Sequence, residues 1–434
     1  MRERGVAQRA KHRCRSCGAA LDFVVVDLGA QPLANSYLSA EDLERPEVHY
    51  PLCVRLCTSC FLVQVPAVVP ADAIFSDYAY FSSYSVSWLD AARRYVEMAA
   101  ARFALGPQSL VVEVASNDGY LLRWFRDRGV PVLGIEPARN VAAHAEAAGI
   151  PTLVRFLGAE VGQAVVDGAV QPTTPAVAGR VGRAADLVVA NNVLAHVPDL
   201  ADFTAGLRAL LAPRGVLTIE VPHLLRLLEE VQFDTIYHEH FSYYSLHAAS
   251  RALAARGLVV FDVEELPTHG GSLRLFCRRA DAPADPRLED TERVGALLEQ
   301  ERRAGLLDFE TYWQFGERVR GVKLSLLRFL VDARGRGETV VGYGAPAKGN
   351  TLLNYCGVGP DLIELTVDLS PHKQGKFLPG SRIPVFAPER IAERRPEWVL
   401  VLPWNLEDEI VRQMAAVREW GGRFVVPIPE VREV

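Results

Sequence analysis

Lysine is scarce in this 434-residue chain, and long apolar runs and basic blocks are missing from it. No uninterrupted apolar stretch approaches the roughly 18 residues that a membrane-spanning helix requires, so we expect no contact with a membrane. The formal net charge of −6, without a basic block, argues against a nucleic-acid partner. The charged N-terminus is not followed by an apolar stretch, so the sequence predicts no signal peptide and a cytoplasmic protein.

Cysteine is also infrequent, with seven residues in the chain. In a long chain without a secretion signal, this number argues against a disulfide framework. Four of the seven form two C-x-x-C pairs: Cys14, Cys17, Cys57 and Cys60. Four thiolates in tight turns fit a tetrahedral structural zinc, which would stabilise a lobe too small to fold alone. Cys53 and His12 are competing ligands, and free or redox-active thiols are the alternative interpretation.

The G-x-G-x-x-G fingerprint of dinucleotide enzymes is missing too, but a related pattern occupies residues 111–122, VVEVASNDGYLL. A short apolar strand ends in a turn where Ala115 and Ser116 replace glycines, and a helix follows, which offers N–H groups to a ligand. Glu136 ends the next strand, where an acidic side chain suits the hydroxyls of a ribose. The pattern predicts a nucleoside pocket of the looser kind that S-adenosylmethionine (SAM) enzymes use, with an ordinary βαβ unit as the alternative.

The following segment resembles the rest of a class I SAM-dependent methyltransferase core. A strand over 185–190 precedes two asparagines and a short helical turn that contains His196. A helix over about 202–212 and a strand over 216–221 come next. The loop over 168–184 is rich in Gly, Pro, Ala and Val and is predicted to be a flexible insertion. The predicted cofactor-binding residues are Glu113, Ala115, Ser116, Asn117, Gly119, Glu136, Asn191 and Asn192.

Histidine is rare, yet three of the ten histidines lie within residues 238–247. The segment 234–245, DTIYHEHFSYYS, brings Tyr237, Glu239 and His240 together in the chain. A neutral imidazole accepts protons efficiently near neutral pH, and a tyrosine hydroxyl can donate to a developing oxyanion. The segment favours general acid–base chemistry. A catalytic metal on His-Glu-His and a purely structural polar loop are the alternatives.

A second aromatic cluster, over residues 77–88, precedes the SAM core and is rich in serine and tyrosine. It contains Tyr78, Tyr80 and Tyr84. Such a surface of hydroxyls and rings is typical of sugar binding or of a lid over a small-molecule pocket. The alternative is a buried aromatic turn that leads into a helix.

Three of the five lysines fall between residues 348 and 376. Residues 339–354, TVVGYGAPAKGNTLLN, predict a second strand, Gly/Ala loop and helix, with Lys348 at the helix start. A cation beside helix N–H groups makes an anion site, although the Walker pattern of an ATPase is absent. With Asn350 and Lys373, this region fits a diphosphate-bearing substrate. A scaffold domain without a ligand is the alternative.

In combination and in this order, the motifs resemble the three-domain sugar C-methyltransferases of deoxysugar biosynthesis. The resemblance covers essentially the whole chain. It implies transfer of a methyl group from SAM to a ring carbon, most often C3, of a dTDP-linked 4-keto-6-deoxysugar. It also implies structural zinc on the four paired cysteines. The catalytic residues that it implies are His240, Glu239, Tyr237, His196, and Tyr78 or Tyr80.

The implied mechanism removes the proton next to the C4 ketone. His240 is expected to be the base and Glu239 to orient it, while tyrosine hydroxyls and His196 stabilise the enolate oxygen. An O- or N-methyltransferase, which needs a base only at a heteroatom, stays open, as does a scaffold without tight SAM binding.

The expected fold is therefore α/β. It combines a class I SAM methyltransferase Rossmann-like core with an N-terminal zinc-binding lobe and a second, C-terminal Rossmann-like αβ domain. The expected boundaries are 1–70, 71–283 and 284–434, and we expect a monomer.

Overall fold

Three β-sheets organise the chain in the computed structural model, which describes residues 12–70, 82–84, 86–172 and 182–434. The N-terminal lobe contributes strands β1 (Phe23–Gln31), β2 (Tyr50–Leu56) and β3 (Val63–Gln64), paired antiparallel. Along β2, the buried residues Leu52, Val54 and Leu56 alternate with more exposed ones, as a strand with one face on a core requires. The two longer strands of this lobe lie between the two cysteine pairs.

Seven of the eight strands in the central domain form one sheet. Its helices up to the end of the domain are α1 (Val86–Arg102), α2 (Leu122–Arg126), α3 (Arg139–Ala147), α4 (Ala159–Val166), α5 (Leu200–Leu210), α6 (Leu224–Glu229) and α7 (Leu246–Ala254). Its strands are β4 (Val111–Val114), β5 (Val132–Ile135), β6 (Thr152–Leu153), β7 (Ala185–Asn191), β8 (Leu211–Pro222), β9 (Ser242–Tyr243), β10 (Leu258–Leu266) and β11 (Ser272–Arg279).

The strand order of this sheet is β10-β11-β8-β7-β4-β5-β6. In this order, the five strands β8, β7, β4, β5 and β6 are parallel, and β11 is antiparallel to β8. This is the arrangement of a class I methyltransferase, so the predicted fold is confirmed. The chain crosses from one side of β4 to the other between β6 and β7. In an open α/β sheet, ligands bind at the carboxyl ends of the strands beside such a switch point. The helix after the β4 turn, α2, is only five residues long.

The C-terminal region begins with two helices, α8 (Glu292–Arg303) and the long α9 (Phe309–Gly335). Its other elements are β12 (Val340–Tyr343), α10 (Ala347–Cys356), β13 (Thr366–Val367), β14 (Val385–Phe386), α11 (Glu389–Arg394), β15 (Trp398–Val401), α12 (Glu407–Gln413), β16 (Arg423–Val426) and β17 (Arg432–Glu433). The sheet order is β14-β13-β12-β15-β16-β17. All neighbouring strands of this sheet are parallel except β16 and β17, which pair antiparallel. The sheet therefore ends in an antiparallel edge strand.

The three regions share one packed interior. Strand β9, from the central domain, pairs antiparallel with β3 and becomes the fourth strand of the N-terminal sheet. A single hydrophobic core also joins Leu52 of β2, Leu225 of α6, Leu326 of α9 and Leu352 of α10. This core crosses the domain boundaries that the sequence suggests, while separate clusters lie around Phe125 in the central domain and around Phe424 in the C-terminal sheet. None of the helices among the described residues has the length and hydropathy needed to cross a lipid bilayer.

Candidate active site

The turn after β4 adopts a backbone that few side chains favour. Ala115, Asn117 and Gly119 have φ values of 56°, 49° and 76°. Non-glycine residues in this left-handed region carry a cost of roughly 1 kcal/mol or more each, and such strain concentrates at ligand sites. The turn also lies close to β5: a Cβ added at Gly134 would lie 2.5 Å from the Ser116 Oγ. The sequence without the glycine fingerprint thus still builds a tight loop at the carboxyl end of β4.

Three carboxyl groups surround this turn. Glu136, at the end of β5, accepts hydrogen bonds of 2.9 Å from the N–H groups of Asn117 and Ala138, one on each oxygen. Burial raises the pKa of Glu113 well above its ordinary value, with added repulsion from Asp118 and Glu136. Burial also raises the pKa of Glu136. A cation would relieve this crowding of negative charge, and SAM carries both a sulfonium and an ammonium group.

Several polar atoms around the turn are buried without a hydrogen-bond partner in the described structure. They are Glu113 Oε2, Ser116 Oγ, Asp118 Oδ1, Asn191 Oδ1 and Asn192 Nδ2. Burying a polar atom costs free energy unless a hydrogen bond compensates for it. These atoms lie at the ends of β4 and β7, where the topology places a ligand. The residues therefore fit SAM, and the predicted cofactor residues come together here.

Ser82 and Ser83, the described serines of the serine-tyrosine segment before α1, contact the same turn. The Asn117 Oδ1 accepts from the Ser82 N–H at 2.9 Å, and the Asp118 Oδ2 accepts from the Ser83 N–H at 3.1 Å. Tyr84 belongs to the same short helical turn, Ser82–Tyr84. Tyr78 and Tyr80 lie outside the described residues, as does most of the predicted insertion, so these predictions stay as predictions.

Two histidines meet beside the end of β7. The rings of His196 and His240 are 4.8 Å apart between centroids, and the Tyr237 ring lies 4.0 Å from that of His240. His196 Nδ1 is 2.9 Å from the Glu239 carbonyl oxygen, and His240 Nδ1 is 2.8 Å from the Thr235 carbonyl oxygen. Because a carbonyl can only accept, each Nδ1 carries the hydrogen and each Nε2 is the basic atom.

Both imidazoles are neutral at neutral pH. Burial lowers the pKa of His196 to about 4. Burial, followed by the neighbouring His196, lowers the pKa of His240 well below its ordinary value. Neutral rings that carry their hydrogen on Nδ1 can accept a proton or a hydrogen bond at Nε2, which is the chemistry that the sequence predicts for this segment.

Glu239 lies differently from its expected place. The sequence analysis expects it to orient His240, but the Thr235 carbonyl does so, because the backbone of residues 235–240 turns back on itself. Both Glu239 carboxylate oxygens instead accept from Asn35 Nδ2, at 2.8 and 2.9 Å. Glu239 is 4% exposed, and burial raises its pKa to about 7 while the Asn35 hydrogen bond lowers it.

The first residue of the His-Glu-His run, His238, contacts the N-terminal lobe instead of His196 and His240. His238 Nε2 is 3.2 Å from the Tyr50 carbonyl oxygen of the N-terminal lobe. Across the described ranges, the group of side chains that could hold a metal consists of the four paired cysteines. A metal on the His-Glu-His run therefore finds no support.

Lys348 lies at the N-terminus of α10, where the C-terminal region meets the central domain. Its ammonium is 4.0 Å from the centre of the Trp404 ring and donates to Asn405 Oδ1. Trp404 in turn donates to the buried Asp234 Oδ2 at 2.7 Å. Burial lowers the pKa of Lys348 to about 8, and the charge of Asp234 opposes this shift. Burial raises the pKa of Asp234 to about 6.

His269 and Trp88 connect Lys348 to the turn after β4. The sequence analysis did not include either of them among the candidate site residues. His269 has a left-handed φ of 56°, and its ring lies 5.0 Å from that of Trp88, which stacks on Tyr120 at 6.1 Å. Burial and the nearby Lys348 lower the pKa of His269 to about 4. The strained His-Gly-Gly sequence was the available signal. Ring contacts thus extend from Tyr120, in the turn after β4, to His269 near Lys348.

Asn350 and Lys373 are predicted to bind substrate, but in the described structure their side chains make hydrogen bonds within the protein. Asn350 Nδ2 donates to the Ala34 carbonyl at 2.7 Å. Lys373 Nζ donates to the Ala345 carbonyl at 2.9 Å and lies 3.3 Å from Asp368 Oδ2. Both side chains fix the border between the N-terminal lobe and the C-terminal sheet.

The four paired cysteines form one cluster, with all Sγ atoms within 4.8 Å of one another. The Cys14–Cys60 and Cys17–Cys57 sulfur distances are both 3.5 Å. A tetrahedral zinc with bonds of about 2.3 Å requires sulfur atoms roughly 3.8 Å apart, so the cluster fits the ion. Cys53 and His12 lie outside this group. The chain thus has a structural zinc site, as predicted.

Arg15, between the first two zinc ligands, connects the zinc site to the segments that carry His196 and His240. Its guanidinium donates to the Val65 carbonyl at 2.5 Å and to the Val197 carbonyl at 3.4 Å. It also lies 5.2 Å from the centre of the Phe241 ring. Val197 and Phe241 directly follow His196 and His240, so the zinc turn contacts both histidine segments.

The sheet order, the buried carboxylates and the polar atoms at the switch point define a SAM-dependent methyltransferase with a structural zinc site. Three family models match the chain in order: "Putative zinc binding domain" over residues 14–75, "Methyltransferase domain" over 88–263 and "C-methyltransferase C-terminal domain" over 267–429. C-methyltransferase NovU from Streptomyces niveus is 40% identical over 424 residues, which cover 97% of this chain and 96% of NovU. The chain belongs to this family of SAM-dependent C-methyltransferases.

Solved structures give weaker similarities that cover about half of the chain. A SAM-dependent methyltransferase from Mesorhizobium loti is 19% identical and covers 44% of this chain and 100% of its own, with a TM-score of 0.33. The 1,6-didemethyltoxoflavin-N1-methyltransferase from Burkholderia thailandensis is 17% identical, covers 51% of this chain and 96% of its own, and has a TM-score of 0.34. The fold assignment rests on the strand order and the family models instead.

Proposed function

We propose that this C-methyltransferase acts on a ring carbon, C3, of a dTDP-linked 4-keto-6-deoxysugar. The observation that carries the proposal is the pair of neutral imidazoles, His196 and His240, whose rings lie 4.8 Å apart beside the end of β7. A carbon is a poor nucleophile until its proton is removed, so carbon methylation needs a positioned base and donors to the enolate oxygen. The 40% identity to C-methyltransferase NovU supports methylation at carbon.

SAM supplies an electrophilic methyl group on its sulfonium. His240 Nε2 takes the proton from the carbon next to the ketone, and its Nδ1 stays bonded to the Thr235 carbonyl. The remaining electron pair forms the enolate, whose carbon bonds to the methyl group while the carbon–sulfur bond breaks to give S-adenosylhomocysteine. Tyr237, and Tyr78 or Tyr80, stabilise the enolate oxygen by hydrogen bonds. His196 joins them only when its Nε2 has taken up a proton, because its Nδ1 hydrogen is bonded to the Glu239 carbonyl.

Glu239 is the second candidate for the base, because a pKa of about 7 suits proton transfer near neutral pH. The two candidates can be separated by substitution, because Glu239→Gln leaves His240 and its Thr235 bond in place. A loss of turnover in His240→Ala with little effect in Glu239→Gln supports His240. The reverse pattern assigns the proton transfer to Glu239.

The nucleotide diphosphate binds at the N-terminus of α10 in this proposal. Lys348 supplies the cation there, and the first N–H groups of the helix are free of intrahelical partners. Asn350 and Lys373 support this region through their hydrogen bonds to Ala34 and Ala345. Tyr84, in the segment before α1, binds the sugar in this proposal. The protein acts as a monomer.

Product analysis tests the proposal directly. The protein is incubated with SAM and a panel of dTDP-ketosugars, and products are identified by mass spectrometry and NMR. A new methyl group bonded to C3 is the expected result. A methyl group on oxygen or nitrogen, or turnover only with substrates that lack a ketone, would refute the proposal.

A further inference from the structure

Asn35 is the only described hydrogen-bond donor to the side chain of Glu239, although it lies 204 residues earlier in the chain. The Asn35 side chain is exposed, whereas Glu239 is 4% exposed. The Asn35 amide therefore covers a buried carboxyl group at the mouth of the site. No sequence motif of the acid–base segment includes this residue.

The C-terminal region fixes the loop that carries Asn35. Asn350 Nδ2, on α10, donates to the carbonyl of Ala34, directly before Asn35. The Tyr37 hydroxyl, two residues after Asn35, donates to the carbonyl of Ala345. The loop is thus held on both sides of Asn35, and all three regions of the chain meet at Glu239.

We propose that Asn35 is a positioning residue for Glu239, which holds both carboxylate oxygens in place and favours the ionised form of this group. The proposal rests on the proposed function in so far as Glu239 takes part in proton transfer. An amide N–H that donates to a carboxylate stabilises the negative charge. The same N–H stabilises a protonated carboxyl group less.

The other titratable groups around Glu239 carry no charge that could replace this effect. His196 and His240 are neutral because burial lowers the pKa of each. Tyr37, on the loop, is neutral because burial and the charges of Asp368 and Glu239 raise its pKa above the usual range. Among the described residues, the balance between burial and the Asn35 bond sets the charge of Glu239.

The test compares pH–rate profiles of the full-length wild type, Asn35→Ala and Asn35→Asp. Loss of the amide removes a bond to the ionised form, so the pKa of Glu239 rises. In Asn35→Ala, the acidic limb of the profile should move up by about one to two pH units, with turnover recovered at high pH. Asn35→Asp should shift it further, because two neighbouring carboxyls cannot both ionise easily.

Asn35→Asp also separates positioning from packing. Asp has nearly the shape of Asn, so a merely structural Asn35 predicts near-normal behaviour for the Asp variant. Ser36→Ala, at the exposed neighbouring position, is the matched control and should keep the wild-type profile. An Asn35→Ala limb that coincides with that of the wild type would overturn the proposal.

A readout without turnover distinguishes this inference from the proposed function. Titration of Glu239 by 13C NMR on protein with labelled glutamate, assigned with Glu239→Gln, measures its pKa in the wild type and in Asn35→Ala. A higher pKa in the variant supports the role of Asn35 even if no ketosugar is methylated. Equal pKa values overturn it even if C3 methylation is observed.

Discussion

Binding of SAM should release protons, because the cofactor is a cation and the site contains carboxyl groups with raised pKa values. Glu113 is 1% exposed, and its Oε2 has no hydrogen-bond partner among the described atoms. Its raised pKa means that the free protein retains a proton there up to a higher pH than an ordinary carboxyl does. A bound cation favours the ionised form, so the affinity for SAM should rise with pH and fall as pH drops through the raised pKa.

The magnitude follows from the loss of one interaction with a charged group. Glu113→Gln keeps the shape of the side chain but removes the charge, which should weaken SAM binding by about 1.5–3 kcal/mol, or roughly 10- to 150-fold. Glu136→Ala should cost a similar amount, because Glu136 also supports the turn through Asn117. Glu160→Gln, exposed on α4 of the same domain, removes the same charge and should have no effect.

Isothermal titration calorimetry in buffers of different ionisation enthalpy measures both the affinity and the number of protons released. S-adenosylhomocysteine, which lacks the sulfonium charge, should release fewer protons than SAM. An affinity for SAM that is constant between about pH 5 and 8, and equal in wild type and Glu113→Gln, would refute the reasoning that places the cofactor beside these carboxyl groups.

Three further outcomes follow from the site. His240→Ala should lower turnover by about a hundredfold to ten-thousandfold with SAM affinity retained, and should slow solvent deuterium exchange at the sugar carbon when S-adenosylhomocysteine is bound; near-normal turnover would exclude His240 as the base. Lys348→Ala should raise the Michaelis constant for the sugar nucleotide and leave SAM affinity unchanged, and the reverse result would exchange the two pockets. Cys17→Ser should lower the zinc content, measured by elemental analysis, and the thermal stability of the N-terminal lobe while SAM still binds; a folded, active, zinc-free wild type would contradict the structural role.

The sequence predicted those features of the fold and site that depend on residues close together in the chain. The turn after β4, the acidic end of β5 and the strand-loop-helix unit around Lys348 each lie within a few dozen residues, where hydrophobic periodicity and turn residues are informative. The paired cysteines were also predictable, because ligand spacing within each pair is fixed by the geometry of the metal.

The contacts that the sequence did not reveal join distant parts of the chain. Asn35 reaches Glu239 across 204 residues, and Trp404 reaches Asp234 across 170. Such pairs depend on how whole sheets pack, and no local pattern encodes them. The two-residue strands β9 and β17 were equally hidden, because segments this short show no alternation of exposed and buried residues.

The pairing of β3 with β9 affects the order in which the chain folds during its synthesis on the ribosome. Chains are synthesised from the N-terminus and domains generally fold as they emerge. Here the β3 edge of the N-terminal sheet stays unpaired until Ser242 and Tyr243 are synthesised, almost 180 residues after β3. The zinc lobe and the segment that carries His240 should therefore become ordered in the same late step. A nascent chain then acquires the histidine that we propose as the base only when its N-terminal sheet is complete.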